Sequence, residues 1–169
     1  TSEAMEIEPI ADKWASFGWK VSEIDGHDLA QVVDALEAAR VERGVPVYGK
    51  ELTESYNPLE AGLRKYISFT KGCYVGQEVV ARLNTYDKVQ RPLVALEGET
   101  EAPLDPGTAL MADDLKVGTV TSIAAAAWTG KRSALAYVRK SHVQPGTLLE
   151  ADTGERPLTV SVKGLADEQ

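Results

Sequence analysis

Apolar residues recur at two different spacings along this chain, and the spacing changes close to residue 89. Before it, the period is helical. Ile10, Trp14 and Phe17 fall at i, i+4 and i+7, one stripe of an α-helix. Pro9 suits the first position of that helix, and Gly18 suits its end. Trp19 to Ile24 reads as a short strand, and Asp25-Gly26 as a turn. Asp28 is placed to cap a second helix, with Gln31 as the partner of a capping box. Leu29, Val32, Val33, Leu36 and Ala39 form its stripe, expected to face a core made with residues 41–70 or with their copy in a second chain.

The stretch from 41 to 88 is less regular. Asn57-Pro58 marks a turn, Leu59 to Tyr66 a short helix and Ile67 to Phe69 a strand. Lys71 to Glu78 is a glycine-punctuated loop, and Val79, Val80 and Leu83 start another helix. After Lys88 the apolar period shortens. Five β-rich runs, Leu93–Glu97, Gly118–Ile123, Ala134–Val138, Thr147–Glu150 and Leu158–Val162, are separated by turn signals. These signals are Asp105-Pro106-Gly107, Asp113-Asp114, Thr129-Gly130, Pro145-Gly146 and Thr153-Gly154. The pattern predicts an α+β chain: a small α/β part over 1–88, then a small barrel or sandwich over 89–169.

Composition narrows the chemistry. The 169 residues carry 18 Lys+Arg and 26 Asp+Glu, a net charge of -8, which argues against a broad nucleic-acid surface. No run is long and apolar enough to span a membrane, and no signal-peptide pattern opens the sequence, so a cytoplasmic protein is expected. A single cysteine, Cys73, excludes an intrachain disulfide, and two histidines make a His/Cys metal site improbable. Residues 1–40 hold nine acids and three bases, whereas the window 64–91 has a net charge of +4. That window suits a small anionic ligand, and equally a solvated basic face. Cys73 lies just before a helix N-terminus, with Lys71 two residues away, an arrangement that favours thiolate.

Three stretches resemble a known family. Arg40-Val41-Glu42 through Leu52, and Asn57-Pro58-Leu59-Glu60-Ala61-Gly62-Leu63, resemble the folate-binding superfamily of the glycine-cleavage T-protein, the aminomethyltransferase. Lys71-Gly72-Cys73-Tyr74-Val75-Gly76-Gln77-Glu78 is similar to the signature of its YgfZ-type branch, implicated in iron–sulfur protein maturation. The resemblance spans about residues 40–165 and implies an antiparallel β-barrel from about residue 89. It implies tetrahydrofolate as cofactor, with Glu42 and Glu60 on the pterin ring, where a carboxylate can accept two parallel N–H bonds. Arg91 is expected near the folate carboxylates, Lys71 and Gln77 at the folate, and Cys73 as the reactive group. From the residues alone, Glu42 and Glu60 read as well as surface helix residues, and Arg91 as a rim charge.

Residues 1–40 do not resemble the long region that precedes these motifs in the family and carries the aminomethyltransferase's catalytic aspartate. Thr1 to Met5, Glu8 to Trp14, Phe17-Gly18-Trp19 and Glu23 to Asp28 are instead similar to a segment of the transketolase thiamine domain. The diphosphate-binding motif of that family is absent, so no thiamine diphosphate is expected and His27 reads as a turn residue. The resemblances imply a chimera joined near Leu36–Arg40. Three functions follow: a partial folate-binding protein of the YgfZ type, an inert chimera, or an aminomethyltransferase. A small-molecule folate is the expected partner, and an incomplete site with uncovered apolar surface suits a homodimer.

Overall fold

Two kinds of strand build the C-terminal part. Leu158, Val160 and Val162 are buried and alternate with exposed or half-buried residues, the signature of one dry face. Leu93-Val94-Ala95-Leu96 and Ala134 to Val138 are buried at every position, so these strands are covered on both faces. A computed structural model describes residues 8–86, 89–98, 104–124, 131–154 and 156–166. Its strands are β1 (Leu93–Gly98), β2 (Ala109–Ala112), β3 (Leu115–Ala124), β4 (Arg132–Val138), β5 (Leu148–Asp152) and β6 (Leu158–Leu165). They close a barrel in the order β1-β4-β3-β2-β5-β6, and every neighbouring pair is antiparallel.

The interior is filled by Val94, Leu96, Leu110, Val120, Ala136 and Val160 with their neighbours. The outer face of β1 and β4, with Leu93, Ala95, Leu135 and Tyr137, packs a second core against Ala38, Val41 and Ala61. Asp113 and Asp114 have φ of 49° and 60°, and they make the tight turn that joins β2 to β3. Gly44 has φ +66°, and a Cβ there would run into the Ala166 carbonyl, so only glycine fits.

Among the described residues three α-helices precede the barrel: α1 (Ile10–Ser16), α2 (Leu29–Glu42) and α3 (Gln77–Thr85). Asp28 caps α2 as expected, accepting the N–H groups of Ala30 at 2.9 Å and Gln31 at 3.4 Å. The Gln31 side chain reaches back to the Asp25 N–H at 3.0 Å rather than to that of Asp28. No helix among the described residues is long and apolar enough to cross a membrane.

Several expectations need correction. Trp19–Ile24 and Ile67–Phe69 are not strands, because no segment among the described residues pairs with them. Residues 59–66 form turns and a single 3-10 turn, Arg64–Tyr66, instead of a helix. The short strand β2 went unpredicted, since only Leu110 of its four residues is buried. The larger part of the α2 stripe faces the other way: Leu29, Val33 and Leu36 are 76%, 61% and 67% exposed, Val32 and Ala39 are half-buried, and Ala38 and Val41 meet β3 and β4. Leu36 lies two residues from Ala38, about 200° around the helix, and the small side chain lets α2 approach the sheet. The turn at Thr129-Gly130, the pair Asp87 and Lys88, and the Thr1 to Met5 stretch lie outside the described residues.

Candidate functional site

Glu60 is positioned by the turn that precedes it. The Asn57 side-chain oxygen accepts the N–H groups of Leu59 and Glu60, each at 3.0 Å, closing the Asx turn that Asn-Pro favours. The Glu60 carbonyl accepts the Leu93 N–H at 2.8 Å, which ties this turn to the first strand of the barrel. Its carboxylate is 6% exposed and takes the N–H groups of Asn57 at 3.3 Å and Arg91 at 3.2 Å, one on each oxygen. The Arg91 Nε lies 3.9 Å from the same carboxylate, and its guanidinium sits over the Tyr56 ring at 5.3 Å. Tyr56 in turn stacks on Tyr137, with ring centroids 3.4 Å apart and planes 12° apart. Burial, followed by the nearby Glu51 charge, pushes the Tyr137 phenol well above its ordinary pKa.

The structure therefore brings Glu60 and Arg91 together. It does not bring Glu42 to them. Glu42 ends α2, pairs with Lys20 at 3.2 Å, and lines neither the Glu60 cavity nor the cleft between Tyr48 and Leu63. Lys71, Cys73 and Gln77 form a third group on the 71–77 loop. Gln77 accepts the Tyr74 N–H at 3.3 Å, the Lys71 ammonium sits 5.2 Å from the Tyr74 ring, and Cys73 is exposed. Gly76, at φ +87°, lets this loop turn directly into α3. None of the three lines the Glu60 cavity.

Sequence reasoning missed Glu51, which is wholly buried. One oxygen accepts the Val47 N–H and the Arg40 guanidinium, both at 3.1 Å. The other accepts the hydroxyls of Thr121 at 2.8 Å and Ser122 at 2.6 Å. Adjacent strand residues ordinarily point to opposite faces. Here the register of β3 against β4 shifts between Val120 and Ser122, and this bulge turns both hydroxyls toward one carboxylate. Arg40 also holds Glu37 at 2.7 Å and the Ser122 hydroxyl at 2.6 Å. The Tyr137 hydroxyl donates to the Glu51 carbonyl at 2.9 Å. The only available signal was that Arg40 and Glu51 bracket one motif.

The residues fit a folate in part. Each Glu60 oxygen takes one N–H and keeps a second acceptor position, which suits an aminopyrimidine edge. The cavity that Glu60 lines with Leu59, Arg64, Leu83 and Asn84 has a volume of about 210 Å³. Pockets for whole ligands run to roughly 300–1,000 Å³, so this one accommodates only a piece. An open cleft of about 600 Å³, lined by Tyr48, Leu52, Tyr56 and Ala61, lies on the same 48–63 segment. Among the described residues no cluster of three His, Cys, Asp or Glu side chains could hold a metal ion.

Comparison with known proteins agrees with the barrel. Residues 91–165 match the glycine cleavage T-protein C-terminal barrel domain. The chain is 39% identical over 112 residues to a chloroplastic Arabidopsis thaliana protein named as a transferase, covering 66% of this chain and 26% of that one. It is 31% identical over 156 residues to an aminomethyltransferase of Cutibacterium acnes, covering 90% of this chain and 42% of the relative. The crystal structure of aminomethyltransferase T from Bartonella henselae superposes with a TM-score of 0.68 at 24% identity, over 79% of this chain and 38% of the other. The chain thus spans between about a quarter and two fifths of the length of these relatives. A match over 90% of the chain necessarily crosses residues 36–40. By sequence and by topology alike this chain is T-protein-like, and its residues 91–165 match the glycine cleavage T-protein C-terminal barrel domain.

Proposed function

We propose that the chain serves a tetrahydrofolate-dependent transferase of the aminomethyltransferase kind, as the part that receives the pterin edge at Glu60. The observation that carries this reading is the Glu60 carboxylate. It is nearly buried, fixed by two main-chain N–H groups, and set against the first strand of a T-protein barrel. Arg91, whose Nε lies 3.9 Å from that carboxylate and whose guanidinium packs over Tyr56, would flank the pterin end of the ligand rather than its distant carboxylates. Bound tetrahydrofolate would supply the nitrogen chemistry of one-carbon transfer. The chain's own share is to orient the ring at Glu60 and to screen its edge from water. The continuous match across residues 36–40 favours a single origin over a spliced chain with no activity.

A finer assignment to the YgfZ-type branch is supported by one feature, the exposed Cys73 in the Lys71 to Glu78 loop. Glu42, paired with Lys20, would have to give up that partner to reach a pterin. Calorimetric titration with tetrahydrofolate tests the main reading. Binding that is weak in the chain as given and lost in Glu60→Gln, but unchanged in His142→Gln, is expected. No heat with the unaltered chain, or equal heat with Glu60→Gln, overturns it.

A further inference from the structure

Three cations from three separate segments converge at one end of the barrel, beside the Glu60 site but outside its cavity. Main-chain hydrogen bonds place them. The Arg139 N–H donates to the Val117 carbonyl at 2.8 Å, which sets Arg139 across from Lys116 and Val117. On either side of Arg139, Val138 donates to the Pro92 carbonyl at 3.2 Å and Lys140 to the Gln90 carbonyl at 2.9 Å, which sets it beside Arg91. Arg91, Lys116 and Arg139 together line one opening of about 230 Å³, and no acidic residue lines it with them. The stacked rings of Tyr56 and Tyr137 and the main chain at Gly118 form its remaining walls.

The charges are not accounted for by internal pairing. Among the described residues neither Lys116 nor Arg139 has an ion-pair partner, and Glu60 reaches only the Nε of Arg91, at 3.9 Å. Like charges gathered this way repel one another, and the rest of the chain is acidic, with a net charge of -8. An anion between them removes that repulsion. Two guanidinium groups offer planar forks for paired oxygens, and the aromatic wall lowers the local dielectric and strengthens the attraction. The size of the opening and the number of cations select a compact group with two negative charges; an extended polyanion would meet the acidic remainder of the surface.

We propose that Arg91, Lys116 and Arg139 form a binding site for a compact dianion, either a phosphate group or a pair of carboxylates on a short chain. The site goes beyond the folate reading and shares only Arg91 with it. Probes without a pterin separate the two. Inorganic phosphate and glutarate are each titrated into the ¹⁵N-labelled chain against chloride at constant ionic strength. Saturable shifts of the Lys116, Gly118 and Arg139 amides with either probe are expected, and the stronger of the two assigns the phosphate or the dicarboxylate class. Lys116→Gln and Arg139→Gln should each weaken binding at least about fivefold, as loss of one charge-assisted contact does. Lys163→Gln, on β6 and paired with Glu97 toward the other end of β1 from Arg91, should leave it unchanged. Absence of saturable shifts with both probes, or equal binding in Lys116→Gln and Arg139→Gln, overturns the assignment, whatever tetrahydrofolate does.

Discussion

Replacing Glu51 by glutamine should be the most damaging single-atom change in the described part of this chain. The carboxylate is wholly buried and accepts four hydrogen bonds, from Val47, Arg40, Thr121 and Ser122, between 2.6 and 3.1 Å. Glutamine keeps the volume but turns one acceptor oxygen into a donor, so two donors lose their acceptor whichever way the amide is set. It also removes one of the two carboxylates that neutralise the largely buried Arg40 guanidinium, leaving Glu37 as its ion-pair partner among the described residues. Breaking a buried pair from one side costs roughly 3–5 kcal/mol, and Glu51→Gln should lower stability in urea by that amount with an unchanged m-value. The partners should rank in order. Ser122→Ala should cost more than Thr121→Val, because the Thr121 hydroxyl has an alternative acceptor in the Leu135 carbonyl at 3.1 Å, whereas Ser122 also accepts from Arg40. Glu51→Gln in an Arg40→Met background should cost less than in the unaltered chain, with a coupling of at least about 1 kcal/mol. A loss below about 1 kcal/mol for Glu51→Gln, within the ordinary range for replaceable contacts, would refute the view that this carboxylate holds α2 and the 45–51 loop to the barrel.

The exposed stripe of α2 makes the opposite prediction: Leu36→Ala should change stability by less than about 0.5 kcal/mol, and a loss above 2 would mean the stripe is covered. Acid should release the Glu37 contact. The Arg40 guanidinium, with help from Lys50, holds the Glu37 carboxyl down at about 2 against an ordinary 4.5. Its contribution is therefore complete above about pH 4.5 and lost as the pH falls toward 2, and Glu37→Gln should flatten the acid limb of a stability–pH curve. Gly44→Ala should destabilise by about 2 kcal/mol or more, since it combines a positive φ with a clash; thermal unfolding would show it as a clear drop in Tm. In a Trp128→Phe background, Trp14 and Trp19, 48% and 63% exposed, should emit at long wavelength and be readily quenched by acrylamide; blue-shifted emission would show that this face is covered.

Local signals by themselves specify much of the barrel. Strict alternation at Leu158, Val160 and Val162, and turn residues such as Asp113-Asp114 and Pro145-Gly146, need only near neighbours to act, and they placed five strands and their order of turns. The cap at Asp28 was legible for the same reason. What the chain does with its apolar faces was not local. The stripe of α2 contains the larger side chains, yet the helix lies on its smaller residues, Ala38 and Val41, because close approach to β3 and β4 excludes Leu36. Trp19 to Ile24 has a strand-like composition but no ladder partner, and a strand exists only where another segment accepts its hydrogen bonds. The site divides in the same way. Glu60 and Arg91 could be chosen from motifs, but their contact depends on the Asn57 turn reaching the start of β1, 31 positions apart in the chain. Glu51 carried no warning, because its donors Thr121 and Ser122 lie 70 and 71 residues away and face it together only through a bulge in a sheet register. Periodicity along the chain specifies which face of an element can be dry. Which charges meet across the core is decided by long-range pairing, and only the tertiary structure contains that.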